Sequence, residues 1–425
     1  MTPHRRWRIA VLLGIGVLVN YFDRVNVSVA HDALHDEFGL SNFGFGILAG
    51  AYSWTYAALQ LPMGVLLDRF GVRAIGRVSA LLWSIASFAA AAALGLRTFF
   101  ASRLLLGIGE APTFPANAKA IGYWFPRDER SLATAVFDAA AKFASAIGVP
   151  FLGIALLHFG WRLSFAFTGL ISFLYFLAFY LIYRDPQDDP GLSPQEHRYI
   201  SQHGAQPETH AHSPRGASLA YLLSQRKVVG LTMGFAAYNY CFYLFLTWLP
   251  AYFSASLHVD LLHSVIYTSV PWLFATLMDL LVGGWLVDAL VRHGYKETLV
   301  RQTILIGGTV LGLAIAGAIF AHTAAAAVFW ISLSLGGLSA AAPVGWSIPS
   351  LIAPRHSVGR VGGILNFGNQ VAAIVAPVAT GYFAGPSNSF TRAFGAAALI
   401  LLAGIAGYVF LLGSIEPIPE PAPAP

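Results

Sequence analysis

Charge is what this chain has least of. Of its 425 residues only 11% are Asp, Glu, Lys or Arg, against about 25% in ordinary soluble domains. Hydrophobic residues make up 56% and the mean hydropathy is +0.64, so a soluble globular domain is excluded. Cysteine is nearly absent: Cys241 stands alone, which rules out a disulfide within the chain and any CxxC metal or redox site. No HExxH, GxSxG or P-loop pattern occurs. An enzyme is therefore not expected, nor is an ATP-driven pump, and the chain calls for no metal or organic cofactor. Alternating apolar and polar strands are missing too, which sets aside a membrane barrel. The isoelectric point is near 9.3, but the basic residues are scattered between apolar runs and form no nucleic-acid patch.

What the chain has is a series of apolar runs of about 20 residues, each long enough to cross roughly 30 Å of hydrocarbon as a helix. They predict twelve spans at 8–30, 42–67, 74–95, 98–121, 131–158, 162–183, 227–253, 262–288, 299–320, 323–351, 358–384 and 390–413. The first is read as a retained membrane helix and not as a cleaved signal, because Asn20, Asp23, Arg24 and Asn26 interrupt its apolar core. The one long polar stretch, 184–226, separates an N-terminal bundle (1–183) from a C-terminal bundle (227–413), and Ser193–Gln202 within it is expected to form a short amphipathic helix on the membrane surface. The tail 414–425 is expected to be a disordered cytoplasmic segment, since its prolines remove helical donors. Of the 25 Lys and Arg residues, eighteen fall in the terminal and loop segments of one side, Arg97, Arg162 and Arg392 fall on the other, and Arg24, Arg103, Lys119 and Lys142 fall inside spans. By the positive-inside rule both termini and the linker are cytoplasmic.

The two halves repeat. GVLLDRFGVR follows the second span and GWLVDALVRHGYK the eighth, placing Asp68 and Asp288 at matching points 220 residues apart. A duplicated six-helix unit puts a cavity at mid-membrane between two bundles, where alternating-access transporters bind their cargo. With Gly64, Asp68, Arg69, Gly71 and Arg73 in its first conserved-type loop, the sequence resembles the major facilitator superfamily. That resemblance implies an all-α membrane protein of twelve transmembrane helices in two pseudo-symmetric six-helix bundles, working as a monomer. It also implies a gating role for Asp68 and its loop partners, with Asp288 as their counterpart.

Ionisable groups inside spans cost about 2.5–3.5 kcal/mol on insertion scales and mark functional sites when they face a cavity. Here they are Asp23, Arg24, Arg103, Glu110, Lys119, Asp138, Lys142 and Asp279. In the first span Tyr21, Arg24 and Ser28 share a face with Asn20. Tyr52, Tyr56 and Gln60 form a stripe in the second. Arg103 and Glu110 lie seven residues apart on one face of the fourth, about 10 Å along the axis. They read either as a structural pair or as a coupling pair in which protonation of Glu110 releases Arg103. Pro112 and Pro115 then interrupt the helix. Asp138 and Lys142, at i and i+4, read either as a mutually neutralising pair or as a second cation for cargo. Asp279 reads as helix-packing glue or a further ionisable site.

NYFDR, RLLLGIGEAPTFPAN and GGILNFGNQVAAIVAP narrow the likeness: they resemble the anion:cation symporter branch, which includes sugar-acid permeases and the sialic-acid and vesicular glutamate carriers. The resemblance implies that Arg24 binds a substrate carboxylate beside Tyr21 and Tyr56, that Arg103 assists, and that Asp23 and Glu110 carry the coupling proton. Asn239, Tyr240, Asn366, Asn369 and Gln370 of the C-terminal half would hydrogen-bond the body of the anion. The chain departs from sugar-acid permeases in the fifth span, where FDAAAKFA replaces a polar run, leaving room for a dicarboxylate or aromatic acid. The expectation is a proton-coupled importer of a small organic anion in a bacterial-type inner membrane. The alternatives are an anion or organic-phosphate exchanger and a non-transporting sensor.

Overall fold

The computed structural model describes residues 4–126, 129–205, 217–354 and 357–420. Among the basic loop residues, Arg127, Arg215 and Arg355 lie outside the described residues, as do Gly64 and the side chains of Asp68, Arg130, Asp288 and Arg292. Every regular element among the described residues is helical. In chain order these are α1 (Arg5–Val29), α2 (His31–Phe38), α3 (Asn42–Ala91), α4 (Leu96–Glu110), α5 (Thr113–Trp124), α6 (Arg130–Ile182), α7 (Pro194–Gln202), α8 (Leu219–Ser224) and α9 (Arg226–Ala251). After them come α10 (Leu261–Met278), α11 (Val287–Arg292), α12 (Glu297–Gly312), α13 (Ala324–Ile352), α14 (Val358–Ala384) and α15 (Thr391–Ala406).

Twelve membrane passages follow from this list once two long helices are divided. Gly71 (φ 76°, ψ 168°) breaks α3 and Gly160 (φ 75°, ψ 170°) breaks α6. Both residues sit in a region of backbone space essentially restricted to glycine. Nine helical stretches among the described residues are long and apolar enough to span, one of them the undivided 133–182. The first half of α3 and the α4–α5 pair complete the twelve. The fourth passage is interrupted just after Glu110, and the eighth carries a π-helical turn beginning at Asp279. The break in the fourth has a cause: Pro115 cannot donate to the carbonyl of Ala111. Gln60 of α3 supplies that bond instead, Nε2 to Ala111 O at 3.2 Å.

The chain divides into two compact units, residues 1–38 with 51–211 and residues 39–50 with 212–425. In the first, α1 lies along α6 because small residues let the backbones close up. A Cβ on Gly16 would sit 2.2 Å from the Tyr175 hydroxyl oxygen, and Tyr175 stacks on Trp83 at 5.5 Å. At the end of the unit that carries the N terminus, α7 is tied down. Ser193 caps α7 by accepting from Glu196 N at 3.1 Å. The Glu196 carboxylate then accepts the backbone N–H groups of Arg5 and Arg6 at 3.1 and 3.2 Å, at the start of α1. In the second unit α9 packs on α14, and α13 packs on α10 and α12. There Trp248 donates to Pro377 O at 3.0 Å, and the start of α3 joins through Asn42, which donates to Gly385 O at 2.6 Å and Asn388 Oδ1 at 2.7 Å.

The tail departs from the disorder expected of it as far as residue 420. Ile415 and Ile418 are buried, Ile418 N donates to Ile352 O at 2.8 Å, and Lys227 Nζ donates to Glu416 O at 3.0 Å. Two isoleucines among the prolines give the segment apolar surface to bury, which a count of prolines misses.

Candidate functional site

The charged residues of α1 and α4 meet inside the first unit. α1 brings Asn20, Tyr21, Asp23 and Arg24 to mid-helix, and α4 ends on Glu110. The α3–α4 approach that forms one wall depends on Gly107, where a Cβ would lie 2.0 Å from the carbonyl oxygen of Tyr52. Thr55 fastens the same contact by donating to Leu104 O at 2.7 Å.

Arg24 donates through Nε and a terminal nitrogen to one carboxylate oxygen of Glu110, at 3.0 and 2.9 Å. Both side chains are buried, Glu110 completely. Three tyrosine rings surround the guanidinium, with centroids at 4.5 Å for Tyr21, 4.9 Å for Tyr52 and 5.6 Å for Tyr56. An ion pair out of water recovers its desolvation cost only when geometry and further contacts are good, and these ring faces add cation–π attraction.

Arg103 does not hold Glu110 as a salt bridge, against the pairing considered from the sequence. Seven residues separate the two along one helix, whereas Arg24 arrives on a neighbouring helix at the level of the carboxylate. Arg103 lies 5.5 Å from the Tyr52 ring centroid and donates to the Asp23 carbonyl oxygen at 3.4 Å. Tyr52 therefore contacts both arginines. Its place in the Tyr52–Tyr56–Gln60 stripe was the available signal, but spacing alone does not say which ring meets which cation.

Asp23 turns toward α3 and α6, where Ser87 donates to Oδ1 at 2.6 Å and Ser172 to Oδ2 at 3.1 Å. Neither serine is marked by sequence pattern, since hydroxyls on apolar helices are common. Asn26 behaves similarly, accepting from Ser164 at 2.8 Å. Asp138 and Lys142 form the pair their spacing allows, at 2.6 Å on α6.

The other candidates are placed as follows. Asn239 and Tyr240 lie on α9, and Asn366, Asn369 and Gln370 on α14, which packs against α9 in the second unit. Asn369 and Gln370 are buried, Asn239 and Asn366 half-buried. Asp279 is buried at the start of its π-helical turn. Of the loop motif, Arg69 is exposed over the Phe70 ring at 5.2 Å, Gly71 makes the break, and Arg73 reaches Asp188 at 3.4 Å. Among the described residues no group of three His, Cys, Asp or Glu is placed to hold a metal.

Outside the apolar spans a second charged cluster joins α1, α6 and α7. Arg6 forks onto Glu129 at 2.7 and 3.0 Å and also donates to Glu196 at 2.9 Å. Arg5 forks onto Asp189 at 3.1 and 2.7 Å, and Tyr199 donates to Glu129 at 3.0 Å. The hydrogen bonds from Arg6 hold the Glu129 carboxyl below the ordinary carboxylate range.

Known proteins resemble this chain along its whole length. An uncharacterized transporter of Bacillus subtilis is 40% identical over 98% of this chain and 96% of its own. A probable galactarate/D-glucarate transporter of Escherichia coli is 31% identical over 97% of this chain and 96% of its own. The crystal structure of a bacterial homolog of the human lysosomal transporter Spinster, inward-facing and unoccupied, superposes with a TM-score of 0.74 at 15% identity, covering 97% of this chain and 98% of that one. The family model of the Major Facilitator Superfamily matches residues 13–299. Twelve helical passages, charges gathered inside one unit and these matches lead to one conclusion: the chain belongs to the Major Facilitator Superfamily and is a multi-pass membrane transporter, not an enzyme.

Proposed function

We propose that this protein imports a small organic anion, a sugar acid or similar carboxylate, together with protons, across a bacterial-type inner membrane with both termini in the cytoplasm, and that a single chain suffices. The observation that carries the reading is the buried Arg24–Glu110 pair. Glu110 occupies the Nε edge of the guanidinium and neutralises its charge, so an anion meets a weaker partner while Glu110 is ionised. Ionised Glu110 thus competes with cargo for Arg24, and protonated Glu110 gives Arg24 up. A proton and an anion then favour each other's binding, as symport requires. Arg103, linked to Arg24 through Tyr52, supplies the second positive charge near the anion, and Lys142 contributes when Asp138 is displaced from it. Asp23 is a second candidate for protonation, with Ser87 and Ser172 as its hydrogen-bond partners.

A relative whose name states galactarate and D-glucarate transport supports a sugar acid as cargo, so labelled D-glucarate is the first probe. Reconstituted into liposomes, the protein is expected to accumulate D-glucarate when the outside is made acidic and to acidify the lumen as it does so. Uptake that requires a trans anion and ignores the pH gradient would identify an exchanger instead.

A further inference from the structure

Glu110 uses one carboxylate oxygen for Arg24, and its other oxygen, Oε1, is buried with no hydrogen-bond partner among the described residues. Three further atoms in that condition follow along the same helix face: Thr113 Oγ1, Asn117 Nδ2 and Trp124 Nε1. Relative to Glu110 they stand at i+3, i+7 and i+14, one stripe on α4 and α5, and Ala111 and Pro112 between the helices keep helical dihedrals. A fifth member comes from α1. Asn20 is fully buried and neither its Oδ1 nor its Nδ2 has a partner among the described residues. It lies one turn before Arg24, on the face that carries Arg24 to Glu110. α1 and α5 pack against each other, and Trp7 meets Phe125 at 5.0 Å where the two helices reach the end of the unit bearing the N terminus. Since α1 runs away from that end and α4–α5 runs toward it, Asn20, Thr113 and Asn117 all lie on the N-terminal side of the Arg24–Glu110 pair.

A buried polar group without a partner costs about 1–3 kcal/mol, and five on one track are not tolerated as chance packing defects. Buried water, which needs two to four polar neighbours, is the partner such groups ordinarily find. Arg24 and Asp23 from α1 and Arg103 from α4 are the charged groups acting on Glu110. We propose that Asn20, Thr113, Asn117 and Trp124 line a hydrated track that carries the coupling proton between Glu110 and the membrane face bearing the N terminus. Its length is about 20 Å by helical rise from Glu110 to Trp124. The cargo does not use it, because a track of single polar atoms between packed helices conducts protons and excludes a sugar acid. The proposal rests on the proton-coupled reading above.

The test uses full-length protein in liposomes, with D-glucarate as probe and a lumenal pH dye. Counterflow of labelled D-glucarate at equal pH requires no net proton release, whereas pH-driven uptake requires it in every cycle. Thr113→Val and Asn117→Leu remove the polar atoms at similar volume. They are expected to slow pH-driven uptake about tenfold or more while counterflow stays within about twofold of wild type. Asn117→Ser, which restores a hydrogen-bonding group, is expected to recover most of the rate, and it reads the same property if the leucine variant fails to fold. Variants at Thr113 or Asn117 that keep pH-driven uptake, or that lose counterflow in equal measure, overturn the track. A wild type that performs counterflow but moves no protons overturns the symport reading itself, an outcome separable from the first two because it appears before any substitution.

Discussion

Arg24 is held by a carboxylate on one edge and by tyrosine faces around it, so replacing it tests geometry apart from charge. Arg24→Lys keeps a cation but removes the fork, and affinity for D-glucarate should fall about tenfold or more, the equivalent of about 1.4 kcal/mol; isothermal titration of the purified protein reads this. Tyr52 lies within 4.9 Å of one guanidinium and 5.5 Å of the other. Tyr52→Phe preserves the ring and should leave affinity nearly unchanged, whereas Tyr52→Leu should weaken binding about fivefold, in line with about 1 kcal/mol for ring–cation contacts. That Arg24 and Glu110 are candidate site residues was legible in the sequence because ionised groups are conspicuous in apolar helices. Who pairs with whom was not. The Arg24–Glu110 contact joins residues 86 apart, and no periodicity within α1 or α4 specifies it; Ser87 and Ser172 reach Asp23 across 64 and 149 residues.

Helices are positioned here by close backbone approach and by charged ends. Gly107 faces the Tyr52 carbonyl so tightly that any side chain must move α3. Gly107→Val is expected to lower the thermal unfolding temperature by several degrees and to abolish uptake, in keeping with about 1–3 kcal/mol for overpacking. The cluster of Arg5, Arg6, Glu129, Asp189 and Glu196 does for α1 and α7 what apolar packing does elsewhere, with Glu196 set against the positive end of α1. Glu129 is depressed by its bonds from Arg6, so its contribution to stability is present above the unfolded carboxylate range and is lost as pH falls through its folded value. Glu129→Gln should therefore unfold at a lower temperature than wild type near neutral pH, by an amount equivalent to about 1–2 kcal/mol. The gap should close on acidification, and a gap that persists unchanged in acid would show that charge is not its source. A short amphipathic helix over Ser193–Gln202 was expected from the polar stretch, and α7 covers Pro194–Gln202. Its anchoring on α1 was not legible, because Glu196 accepts from Arg5 and Arg6 near the other end of the half, with no local pattern to mark it.

Twelve passages, a polar linker and a twofold repeat can be read from hydropathy and motif spacing because lipid imposes one requirement on every span: backbone groups must bond within the helix. The same requirement explains what could not be read. Hydropathy is indifferent to where a helix bends within a span, so the π-helical turn at Asp279 emerges only from three-dimensional packing. The grouping of residues 39–50 with the second unit likewise depends on contacts to Gly385 and Asn388 far along the chain. In the transporter as a whole, the proposed competition sets Glu110 against the cargo's carboxylate for Arg24, with a proton deciding between them. Equilibrium binding of D-glucarate across about pH 5 to 9, in wild type and in Glu110→Gln, tests it most directly. Wild-type affinity is expected to weaken as pH rises, while Glu110→Gln binds tightly with no such slope. A Glu110→Gln protein that binds weakly, or that keeps the wild-type dependence on pH, would contradict it.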